Sequence, residues 1–68
     1  MNIKIAQETK ANCILDITKS YGRSAGRRFQ RLLENREQAF GQKLTHEEIL
    51  NVYRLFDLEL QKTLPVQN

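Results

Sequence analysis

The sequence is poor in the residues from which compact chemical sites are built. Among its 68 residues it has one cysteine, Cys13, one histidine, His46, and no tryptophan. A lone cysteine excludes an intrachain disulfide, and with one histidine it makes no convincing zinc site. No apolar run approaches the roughly 20 residues needed to cross a bilayer. The opening Met-Asn-Ile-Lys-Ile-Ala lacks the charged-then-apolar pattern of a secretory leader, so a cytoplasmic chain without a membrane partner is expected. Gly22-Arg-Ser-Ala-Gly26 lacks the lysine and the spacing of a phosphate-binding loop. Cys13 has no base beside it in sequence and reads as a small buried residue, and His46 reads as a solvated imidazole. Glu47 and Glu48 resemble a catalytic carboxylate pair, but acids are favoured at a helix N-terminus for dipole reasons alone. The expectation is a binding protein, neither an enzyme nor the carrier of a cofactor.

What the chain does have is charge, unevenly placed. The net charge is +3. Residues 1–18 are neutral. Residues 19–36 carry Lys19, Arg23, Arg27, Arg28, Arg31 and Arg36 against Glu34 alone, a block of +5, while residues 37–68 sum to −2. Such a block repels itself unless an anion meets it. Arginine's planar fork suits phosphate and guanine better than it suits mere solubility.

Residues 1–68 form a single domain, without repeats or a dividing linker. Residues 2–6 alternate polar and apolar, with Ile3 and Ile5 on one face, which predicts a short strand. From about Thr9 the spacing of Ala11, Ile14, Ile17, Thr18 and Tyr21 predicts a helix closed by Gly22. Ser24 is placed as N-cap of a second helix with the apolar stripe Phe29, Leu32, Leu33 and Phe40. The third helix, over 45–64, has the clearest signature. Thr45 and Glu48 form a capping box, and Leu44 and Ile49 the hydrophobic staple around it. Its stripe of five, Ile49, Val52, Tyr53, Phe56 and Leu60, is widened by Leu50, Leu55, Leu58 and Leu64, and the whole exceeds what the preceding residues are expected to cover. These five are therefore assigned to an interface with a second copy or a protein partner. A chain this short buries only about 60% of its unfolded surface, which also favours a homo-oligomer, at least a dimer.

A strand, a helix ending at Gly22, then Arg23-Ser24 opening a basic helix: over residues 2–40 this order resembles the ribbon-helix-helix family of DNA-binding proteins. The segment Tyr21-Gly-Arg-Ser-Ala-Gly-Arg-Arg-Phe-Gln-Arg-Leu-Leu carries most of the likeness. The resemblance implies a mainly helical dimer whose N-terminal strands pair and enter the major groove of double-stranded DNA, with the third helix outside the shared core. It implies base contacts from Asn2 and Lys4, with Ala6 on the same strand face. It also implies phosphate contacts around the second helix start, from Arg23, Ser24, Gly26, Arg27, Arg28 and Arg31. A repressor, an antitoxin or a mobile-element accessory factor would fit. The alternative is an all-helical small bundle acting as a protein-binding adaptor or inhibitor, its arginines facing an acidic partner. RNA is a third ligand that charge alone leaves open.

Overall fold

The structure, a computed structural model, describes residues 3–63. Three helices follow one another: α1 over Ile3–Tyr21, α2 over Arg23–Phe40 and α3 over His46–Thr63. No strand occurs among the described residues. The expected ribbon is therefore corrected: from Ile3 onward the segment is the first turn of α1, and the fold is an all-helical bundle. Two consequences separate helix from strand here. Ala6 is buried and Ile5 is 47% exposed, the reverse of a strand with its isoleucines inward. An isolated strand also leaves its amides and carbonyls unpaired, whereas a helix satisfies them within the segment. Ala6, Cys13 and Ile17, spaced at near-integral helical turns, form the stripe that α1 buries.

A single residue joins α1 to α2. Gly22 has φ 103° and ψ 170°, a conformation that disfavours any residue with a Cβ. Its amide donates to the Thr18 carbonyl at 2.8 Å, and its carbonyl accepts from the Gly26 amide at 3.1 Å. One glycine thus ends one helix and begins the next. Ser24, expected as the N-cap, lies inside α2; Gly22 holds the cap position, and no side chain caps the helix.

The short link forces α2 back along α1, and Gly26 is where they meet most closely. A Cβ on Gly26 would lie 2.0 Å from Thr18 Oγ1, so only hydrogen fits. At the other end of the antiparallel pair, Lys10 Nζ reaches Glu37 Oε1 at 3.1 Å. The second Glu37 oxygen accepts from the Leu44 amide at 3.2 Å, tying down the α2–α3 connection. Gly41 ends α2 in the left-handed region, φ 75° and ψ 17°, with its own amide and that of Gln42 both donating to the Glu37 carbonyl.

The capping box forms as the sequence indicates. The Thr45 amide donates to Glu48 Oε1 at 2.9 Å, and the Glu48 amide to Thr45 Oγ1 at 3.2 Å. Leu44 and Ile49, the staple pair, are both buried. α3 then runs parallel to α1, because their contacts keep a nearly constant offset. Thr9 Oγ1 meets His46 Nδ1 at 2.6 Å, the Tyr53 hydroxyl donates to Asp16 Oδ2, and the Tyr21 hydroxyl donates to Asp57 Oδ1 at 2.6 Å.

Ile17, Phe29, Leu33 and Ile49 are the largest fully buried side chains, each contributing about 1.5–3 kcal/mol of transfer free energy. Phe29 joins α2 to α3, its ring 6.2 Å from Tyr53 edge-on and 5.3 Å from Phe56. Of the five residues assigned to an interface, Ile49, Val52 and Leu60 are buried within this one chain, and Tyr53 and Phe56 are half-buried against the same core.

Candidate nucleic-acid interface

Helical spacing sorts α2 into two faces. Ala25, Gly26, Phe29 and Leu33 are its buried residues. Arg23, Arg27 and Arg31 recur every four residues on the side turned away from them, and Arg28 stands beside the row. All four arginines are exposed and, with Ser24, line one surface concavity of about 380 Å³. The row is about 12 Å long at 1.5 Å per residue. Lys19, in the last turn of α1, adds a cation to the same end of the bundle.

None of these arginines has a carboxylate partner among the described residues. Lys10–Glu37 is the ion pair found among the described residues, and it lies at the opposite end of α2. Arg28 also meets the protein, its guanidinium carbon 5.9 Å from the Phe56 ring centroid, worth about 0.5–1 kcal/mol at an exposed site. The first turn of α2 contains no acid and no side-chain cap. Arg23 lies in that turn and opposes the helix dipole at a cost of a few tenths of a kcal/mol, and the arginines beyond it add like-charge repulsion. Local energetics thus disfavour this arrangement until an anion joins it.

Three acids are engaged away from the row, and Glu34, one turn beyond Arg31 on α2, accepts from Gln30 at 3.2 Å. Asp16 and Asp57 accept from Tyr53 and Tyr21 across the α1–α3 contact. The hydrogen bond to Asp16, with burial and the Asp16 charge, pushes the Tyr53 hydroxyl up to about 12. Tyr21 is raised in the same sense, first by its bond to Asp57. Burial acts to raise Glu37, but the Leu44 amide, Lys10 and Lys43 outweigh it and hold the carboxyl below the usual 4.5. Burial and then Asp16 push the Cys13 thiol up, which suppresses the thiolate and suits a packing role.

The structure brings together Arg23, Ser24, Arg27, Arg28 and Arg31. It separates Lys4, exposed in the first turn of α1. Because α1 and α2 are antiparallel, that turn lies at the Glu37 end of the bundle, away from the arginine row. Gly26 is buried against Thr18, so its missing side chain serves the helix crossing and not the approach of a phosphate. Asn2 lies outside the described residues. Among those described, no group of three histidine, cysteine, aspartate or glutamate side chains could hold a metal ion. No described helix is long and apolar enough to cross a membrane. No family model, no curated protein and no solved structure matches the chain.

Proposed function

We propose that the chain binds nucleic acid, foremost duplex DNA, by setting the outer face of α2 against the phosphate backbone. The observation that carries this reading is the cluster of Arg23, Arg27, Arg28 and Arg31 around one concavity, without a carboxylate partner among the described residues. The row's length of about 12 Å is comparable to the width of the B-DNA major groove. Its ends can therefore meet phosphates on either side of a groove that α2 crosses. The deep, narrow major groove of A-form RNA admits no such element. Without a strand ribbon the base contacts assigned to Asn2 and Lys4 lose their platform. Binding is then dominated by phosphate contacts and only weakly selective for sequence.

The test is fluorescence anisotropy with a mixed-sequence duplex, comparing the natural chain with Arg27→Ala/Arg31→Ala. Loss of about 1.4 kcal/mol, tenfold in affinity, is expected from the double substitution. Single-stranded RNA and polyglutamate serve as competitors. Equal competition by polyglutamate would favour the adaptor that docks on an acidic protein surface.

A further inference from the structure

The outer seam between α2 and α3 has apolar side chains that the chain itself leaves uncovered. Phe40 is 56% exposed, Leu55 60% and Leu58 52%. Single exposed apolar residues are ordinary. These are not isolated, since Phe40 and Leu55 line one groove of about 210 Å³ with the buried Val52 as part of its wall. Leu58 follows Leu55 by three residues, extending the strip along α3. The groove also carries one charge of each sign, Arg36 from α2 and Glu48 from α3. Neither forms an ion pair among the described residues. Glu48 commits Oε1 to the capping box.

We propose that a second copy of this chain covers the α2–α3 seam about a twofold axis, with Phe40 and Leu55 at its centre and Arg36 of each copy meeting the partner's Glu48. A twofold interface presents the same patch from both sides, so every residue on it must suit its own counterpart or a neighbour's. Apolar centres satisfy this trivially. Opposite charges beside the centre satisfy it reciprocally, since one rotation pairs both arginines with both glutamates. Such pairs fix register and exclude wrong partners more than they add affinity. The small size of the chain points the same way, because a chain of this length leaves about 40% of its unfolded surface exposed when it folds alone. The seam excludes Arg23, Arg27 and Arg31, so dimerisation and nucleic-acid binding can fail independently.

Sedimentation equilibrium of the full chain, without nucleic acid, tests the proposal across a micromolar concentration series. A concentration-dependent dimer is expected. Leu55→Glu should sediment as a monomer while keeping its helical circular dichroism. Arg36→Glu should weaken the dimer alone by placing like charges opposite one another. Mixed in equal amounts with Glu48→Arg, it should recover dimers, because each mixed pair regains both attractions. Glu48→Arg also removes a capping contact, so its helicity is checked first; if it does not fold, Leu55→Glu and Arg36→Glu decide the matter. A natural chain that stays monomeric throughout, or a dimer indifferent to Leu55→Glu and Arg36→Glu, overturns the proposal.

Discussion

The two faces of α2 obey different physics although they share one backbone. The inner face is settled by volume: at Gly26 even a methyl group is too large, and Phe29 and Leu33 are wholly buried. The outer face is settled by charge, since its arginines are exposed and form no ion pair among the described residues. Residues inside are held by what they touch; residues outside are best explained by what they lack. Substitutions on the inner face should therefore change stability and leave ligand affinity intact per folded molecule. Those on the outer face should do the opposite.

The largest expected effect is Phe29→Ala, which removes the ring joining α2 to Tyr53 and Phe56. It should cost about 3–5 kcal/mol, enough to unfold a chain this small at room temperature, as read by chemical denaturation. Gly26→Ala comes next. Alanine brings up to about 1 kcal/mol of helix propensity, but overpacking against Thr18 costs about 1–3 kcal/mol. Thr18 is β-branched and cannot swing away freely, so a net loss is expected. Thr18→Ala in the same chain should recover part of it by removing Oγ1.

Titration sharpens the contrast at the contacts that hold the inner surfaces together. Glu37 is lowered in the folded chain, so its contribution is present above pH 4.5 and disappears as pH falls through the folded value. Tyr53 is raised, so its contribution is intact below pH 10 and is lost as pH climbs toward about 12. Glu37→Gln should flatten the acid limb of a stability-against-pH curve, and Tyr53→Phe the alkaline limb. The smallest effect belongs to the outer face. Arg23→Ala/Arg27→Ala/Arg31→Ala should move stability by no more than about 0.5 kcal/mol, and upward, because it removes Arg23, which opposes the α2 dipole, and relieves the repulsion along the row. A clear destabilisation would mean that these arginines hold the fold.

Much of this organisation was legible in the residues, unevenly. The Thr45–Glu48 box and the glycines at 22 and 41 are local devices whose geometry is written in adjacent residues, and each lies at a helix boundary. The α1 start was misread because Ile3 and Ile5 fit a period of two over a window too short to exclude a helix. The inward positions there, Ala6 and Cys13, are small and weakly apolar, so the true stripe was faint. Gly26 reads from the sequence as room for a phosphate, and only the fold identifies Thr18 as the neighbour that occupies the space. The surplus on α3 was legible as a quantity without its direction. Ile49, Val52 and Leu60 turn inward, while Leu55 and Leu58 are left outside. The arginine block is plain from composition; that its members have no carboxylate partner among the described residues depends on where Asp16, Asp57 and Glu37 sit and on Glu34 meeting Gln30, which no local pattern settles.

The claim on which the functional account stands is that the exposed arginines Arg23, Arg27, Arg28 and Arg31 of α2 neutralise phosphates. Duplex DNA binding measured across a salt series tests it most directly. Four neutralised phosphates predict that log affinity falls against log salt with a slope of about −3.6, shrinking to about −1 when Arg23, Arg27 and Arg31 are all alanine. Identical slopes for the two proteins, or no binding by the natural chain even at low salt, would contradict it.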